Sequence, residues 1–223
     1  MPILYSDTIL RPNHHTEFSG NDAPQLRQSI KSFPYFFNRL NHLSMNGLSP
    51  APLNEKQKGW YSQIQENQIP ILRKTRQEGM TTMLSSLVLW KALFHMDSRI
   101  VVVADRDMTA RRFLEQVKKI YEGCPTHLKR GVEEYNSRRI VFDNQSFIQV
   151  SPLTRDAVRG MALSWIVFEQ PEYAIGDFDE LYTSCMPSLA TNPYSKMIVP
   201  WEFSRPLPEC LRVGNRRNML EQI

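Results

Sequence analysis

The stretch from Ile69 to Met96, IPILRKTRQEGMTTMLSSLVLWKALFHM, constrains the fold of this chain more than any other. A short apolar segment, Ile69 to Leu72, runs into the basic pair Arg73 and Lys74. A turn from Thr75 to Gly79 follows, then Thr81 and Thr82, then Leu84, Leu87, Val88, Trp90, Leu93 and Phe94 at helical spacing. Strand, glycine-containing turn, hydroxyl pair and buried helix is the layout of a phosphate-binding loop. A helix N-terminus offers an anion unpaired backbone N–H groups and the positive end of the helix dipole. A hydroxyl in the first helical turn can ligate the Mg²⁺ that accompanies phosphates. Met80 stands after Gly79, where a standard loop has lysine, and it brings neither charge nor a donor.

The flanking segments alternate between strand and helix patterns. Residues 1 to 23 are polar and aperiodic and read as an arm. From Pro24 to Leu43 apolar residues recur every three or four positions, and Pro34 implies two short helices. Asn46 to Pro52 reads as a linker, and Asn54 as the cap of a helix from Glu55 to about Gln65. Arg99 to Ala104 is a β-branched run of the kind buried on both faces of a parallel sheet. Asp105 to Gly123 predicts an amphipathic helix whose basic face (Arg106, Arg111, Arg112, Lys118, Lys119) is read as solvated in preference to DNA-contacting. Arg139–Phe142 and Ser146–Val150 predict a hairpin, Ser164–Phe168 and Ser195–Val199 strands, and Asp177–Leu189 a helix. The alternation predicts an α/β fold with a parallel sheet flanked by helices and a small N-terminal helical region. The expected division is 1–52 lead-in, 53–203 core and 204–223 tail.

Composition narrows the class. The 223 residues suffice for one large domain, and 27 basic against 23 acidic residues leave a charge of +4, compatible with a polyanionic partner. Cys124, Cys185 and Cys210 have neither zinc-ligand nor disulfide-framework spacing, and no apolar run approaches a membrane span. The chain reads as soluble and intracellular.

With the elements in place, the chain resembles the ATPase domain of the large terminase subunit of tailed phages, the motor that packages DNA into proheads. The likeness runs from about Phe33 to Glu202. It begins in the segment Pro34–Leu40, PYFFNRL. Leu53 followed four residues later by Gln57 is similar to the family's adenine-recognition motif. Thr75 to Thr82, TRQEGMTT, is similar to the family's phosphate loop, where an arginine–glutamine pair, here Arg76 and Gln77, precedes Glu78 and Gly79. Asp156–Gly160, DAVRG, and a strand ending in Glu169-Gln170 about ninety residues after the loop complete the set.

The resemblance implies a P-loop NTPase fold of RecA/ASCE type with ATP and Mg²⁺ as cofactors. It implies that Gln57 reads adenine, that Lys74 replaces the missing loop lysine and that Arg76 acts on the γ-phosphate. Thr81 and Glu169 would hold the metal. Gln170 stands at the position of the catalytic glutamate; an amide can orient water but takes no proton, so slow hydrolysis is expected. Glu172, two residues on in a turn, is expected to point elsewhere. Lys74 and Arg76 could instead simply pair with carboxylates such as Glu78. Pro200-Trp201-Glu202 occupies the place of the family's coupling motif after the next strand. Implied partners are double-stranded DNA, the portal protein and the small terminase subunit. The expected setting is a homo-oligomeric ring at the prohead portal, in the cytoplasm of the infected cell. A non-catalytic nucleotide- or DNA-binding module of such a motor, or another translocase such as a helicase, are the competing classes. No nuclease domain is recognised after Glu202, so DNA cleavage is not expected.

Overall fold

The computed structural model describes residues 22–44, 47–154, 157–158, 160–173, 178–190 and 192–212. The N-terminal arm, with His14 and His15, lies outside these residues, as do Asp156 and Arg159 of the DAVRG segment.

Two short helices open the described chain, α1 (Asp22–Lys31) and α2 (Phe33–Phe37). The break falls at Ser32, two residues before the proline that announced it. Ser32 is extended and its hydroxyl accepts from the Tyr35 N–H at 3.3 Å, while Pro34 sits in the first turn of α2, where no N–H is needed. Phe33, Phe36 and Phe37 are buried, and the Phe33 and Phe36 rings lie 5.9 and 5.4 Å from those of Trp90 and Phe94. The lead-in therefore shares a core with the central helix. The expected linker is not one: Asn41–Ser44 (β1) and Gly47–Pro50 (β2) pair antiparallel, so backbone pairing overrides a composition rich in turn formers.

Helix α3 (Glu55–Glu66) starts at Asn54 with a reciprocal cap. The Asn54 side chain accepts from the Gln57 N–H at 2.9 Å, and the Gln57 side chain accepts from the Asn54 N–H at 3.0 Å. Strand β3 (Ile71–Lys74) then leads through the loop into α4 (Met80–Phe94). Eleven of the fifteen residues of α4 are buried, as its near-continuous apolar composition requires.

The remaining elements are β4 (Arg99–Ala104), α5 (Asp107–Gly123), β5 (Val132–Tyr135), β6 (Arg139–Phe142), β7 (Phe147–Pro152), β8 (Trp165–Glu169), α6 (Phe178–Ala190) and β9 (Lys196–Glu202). Among the described residues the main sheet has seven strands in the order β3-β9-β8-β4-β7-β6-β5. The first five run parallel, and β6 and β5 complete an antiparallel edge. The predicted hairpin is β6–β7, but β7 also joins β4 in parallel, and β5 is a strand the pattern did not announce. Successive residues of the central strands feed two cores. Ile100, Val102, Trp165, Val167 and Ile198 face the layer holding α4 and α5, and Val101, Val103, Ile166, Phe168, Met197 and Val199 face that of α6. Burial on both faces is why these strands read as unbroken apolar runs. Trp60, Trp90 and Trp165 are core residues.

The topology places one strand, β9, between the strand that feeds the loop and the strand that ends in Glu169. The carboxyl ends of β3, β9, β8 and β4 thus lie side by side, the edge at which open α/β sheets hold ligands.

Candidate nucleotide-binding site

The turn between β3 and α4 is closed from within. The Thr75 N–H donates to Glu78 Oε2 at 2.8 Å, and Lys56 of α3 pairs with the other Glu78 oxygen. These contacts, Lys56 first, hold the Glu78 carboxyl well below its usual range, at about 2. Gln77 and Gly79 are left-handed, with φ of 63° and 78°. At Gly79 the requirement is double, because a Cβ would also stand 2.8 Å from Gln57 Nε2. That Nε2 donates to the Gly79 carbonyl at 3.1 Å, so the Gln57 amide braces the loop from α3 while completing the helix cap. Gly79 gives α4 no side-chain cap, and the first-turn N–H groups face the loop. Met80 is 4% exposed and belongs to the core. At the position where a loop lysine would stand, this chain has spent the side chain on packing.

The loop borders a cavity of about 530 Å³, closed on its other sides by Arg106, Glu169, Gln170, Tyr173 and Glu202. Lys74, Thr75, Arg76, Gln77, Glu78, Gly79, Met80, Thr81 and Thr82 all contribute to its wall, so every predicted site residue except Gln57 lines it. At its centre the Thr81 hydroxyl donates to Glu169 Oε1 at 2.8 Å. Glu169 is 4% exposed, and burial foremost pushes its carboxyl up to about 7, with Glu172 and Asp105 adding to the rise and Thr81 and Lys74 opposing it. Its second oxygen, Oε2, is buried and has no hydrogen-bond partner. A hard oxygen-ligated cation fits this arrangement: a hydroxyl and an orphaned carboxylate oxygen beside the helix N-terminus.

Lys74 and Arg76 do not meet at Glu78. Lys74 Nζ donates to Glu172 Oε1 at 2.9 Å, and the Glu172 side chain has no exposed surface. This corrects the expectation that Glu172 points away. Gln170 is left-handed (φ 54°) and folds Pro171–Tyr173 back as a 3₁₀ turn, with the Tyr173 N–H donating to the Gln170 carbonyl at 3.1 Å. Arg76 donates to the Tyr173 hydroxyl at 3.0 Å and lies 3.5 Å from Glu202, which also accepts from that hydroxyl. Pro200-Trp201-Glu202 continues β9 to the cavity instead of following it. Just past the end of β4, the Asp105 side chain, 1% exposed, accepts from Arg106 at 2.7 Å.

Pattern reading missed Lys56, Asp105, Arg106 and Tyr173. Asp105 and Arg106 follow a buried strand and could have been found by that position; Lys56 and Tyr173 had no such signal. Elsewhere, Lys118 on the basic face of α5 donates to the Asn136 carbonyl at 2.7 Å, and Arg111 pairs with Asp107 at 2.8 Å. Among the described residues no helix is long and apolar enough to cross a membrane.

No family model matches the chain. Solved structures do. The large terminase of bacteriophage HK97 superposes with a TM-score of 0.63 at 14% identity, over 77% of this chain and 37% of that one. The ATPase domain of the Thermus phage P74-26 large terminase gives 0.52 at 15% identity, over 70% of this chain and 66% of that one. The large terminase of a thermophilic bacteriophage in complex with ADP gives 0.50 at 13%, over 67% and 38%. This chain spans little more than a third of the HK97 protein. The mixed, mostly parallel sheet flanked by helices, with its loop and acidic strand end on one edge, has the P-loop-like α/β fold of the ATPase domains of phage large terminases.

Proposed function

We propose that this chain is an ATPase domain of a viral DNA-packaging motor, binding ATP with Mg²⁺ at the α4 N-terminus. The observation that carries the reading is the Thr81–Glu169 hydrogen bond of 2.8 Å across the mouth of the loop, with Glu169 Oε2 left unpartnered. Triphosphate oxygens would lie against the N–H groups of Gly79 to Thr82, with Lys74 and Arg76 supplying charge in place of the lysine that Met80 displaces. Thr81 and Glu169 would hold Mg²⁺, which neutralises charge on the phosphate oxygens when bound. Gln57 lies outside the cavity wall and would reach adenine by giving up its cap or loop contact, its amide being able both to donate and to accept.

The solved relatives are named as terminases, and one carries ADP. From that likeness we infer action on double-stranded DNA, with the portal protein and the small terminase subunit as partners and a ring of copies at the prohead portal of an infected cell. Gln170 favours a second reading, a nucleotide-binding module that does not turn over. Titration with a non-hydrolysable ATP analogue, with and without Mg²⁺, tests the site. Phosphate release with and without double-stranded DNA separates the two readings. Failure to bind the analogue refutes both.

A further inference from the structure

Glu172 is a carboxylate that neither the loop nor the cation site requires, yet the fold places it against both. The left-handed backbone at Gln170 turns the chain back, and the side chain of Glu172 is removed from solvent completely. One oxygen accepts from Lys74 at 2.9 Å; the other, Oε2, is buried and has no hydrogen-bond partner. The side chain of Lys74 is 13% exposed and reaches the cavity, so Glu172 lies one side chain behind its wall.

We propose that Glu172 is the proton acceptor for the attacking water in this chain, held by Lys74 until a triphosphate draws the lysine away. The proposal rests on the nucleotide reading above. Three observations carry it. Gln170, at the end of the acidic strand, has an amide that cannot take a proton. Glu169 is committed to Thr81 and the cation position, Glu202 to Tyr173 and Arg76, Glu78 to Lys56 and the Thr75 N–H, and Asp105 to Arg106. That leaves Glu172, which among the described residues pairs with Lys74 alone. A buried carboxylate that loses its counter-charge becomes the stronger proton acceptor, so phosphate binding by Lys74 would itself switch Glu172 on. In the step, the water oxygen forms a bond to the γ-phosphorus and the bond to the β–γ bridging oxygen breaks, its electron pair leaving with ADP. The water proton passes to a Glu172 oxygen and returns to solvent as phosphate departs and Lys74 re-forms its pair.

The test uses the full chain with Mg²⁺ and double-stranded DNA, comparing the parent with Glu172→Gln and Glu172→Asp. Phosphate release, analogue titration and thermal unfolding are measured for each. Glu172→Gln should bind the analogue at least as tightly as the parent, because Lys74 no longer faces a charge, and hydrolyse about 10²–10⁴-fold more slowly. Glu172→Asp keeps a carboxylate and should fall less far; it also decides the matter should the amide variant fail to fold. Release by Glu172→Gln within about threefold of the parent overturns the proposal. So does an equal loss in both variants, or loss of analogue binding in step with loss of hydrolysis, which marks a structural role. A parent that binds the analogue but releases no phosphate overturns the proposal and leaves nucleotide binding standing. A parent that binds nothing overturns both.

Discussion

Replacing Glu169 by glutamine should make the nucleotide-free protein more stable, and increasingly so as pH rises. The carboxyl is 4% exposed, and burial pushes it from an ordinary 4.5 up to about 7. A group that binds its proton more tightly in the folded than in the unfolded chain is least harmful to the fold below the unfolded value. It becomes more harmful as pH rises through the interval between the two, and the cost levels off above the folded value. At about 1.4 kcal/mol per pKa unit, ionising this carboxyl costs the fold about 1 kcal/mol at pH 5 and about 3 kcal/mol at pH 8. Glutamine does not ionise and still accepts from Thr81. Whatever constant offset the amide brings, the stability gap in favour of Glu169→Gln should widen by about 2 kcal/mol between pH 5 and pH 8. For a chain of this length that is a difference of about 4–8 °C in Tm. Urea unfolding of both proteins at the two pH values, in chelator and without nucleotide, measures it. A gap that stays constant or narrows with pH would refute the reasoning. The same variant should lose the stabilisation that the parent gains from Mg²⁺ and ATP analogue, since the orphaned oxygen is gone.

Four further substitutions test the loop and the helix cap behind it. Lys74→Ala should weaken analogue binding by about 10–150-fold, the worth of one charge-assisted contact of about 1.5–3 kcal/mol, as read by calorimetry. Met80→Ala should leave affinity nearly intact while costing about 2–5 kcal/mol of stability, because Met80 is a core side chain; the reverse ranking in affinity would show that Lys74 does not serve the phosphates. Gly79→Ala forces a side chain to φ 78° and 2.8 Å from Gln57 Nε2, so stability should fall by about 1–3 kcal/mol in urea unfolding and analogue binding should fall with it. Asn54→Ala removes half of the reciprocal cap that also orients Gln57, and should cost about 1 kcal/mol, a loss of about 2–4 °C in Tm by calorimetry.

What the sequence determined by itself was whatever depends on neighbours along the chain. The β-branched run at Arg99–Ala104, the SWIVF strand, the capped helix after Asn54 and the glycine-to-helix junction at Gly79 each declare their backbone locally, and the structure has them there. The pairing of Thr81 with Glu169 was implied by the family resemblance alone, and the two side chains meet at the carboxyl edge of the sheet. Tertiary structure decided everything that depends on which strand lies beside which. The insertion of β9 between β3 and β8 brings Glu202 and Tyr173 to Arg76, residues about a hundred positions apart in the chain. It decided that Met80 faces the core, that Gln57 braces Gly79, and that β1 and β2 pair where turn-forming residues promised a linker. Glu172 shows the reason most plainly. Just beyond a strand, a side chain's direction hangs on the backbone angles of the residues between, and glutamine has no preference for the left-handed φ that Gln170 adopts, so nothing local announces the turn.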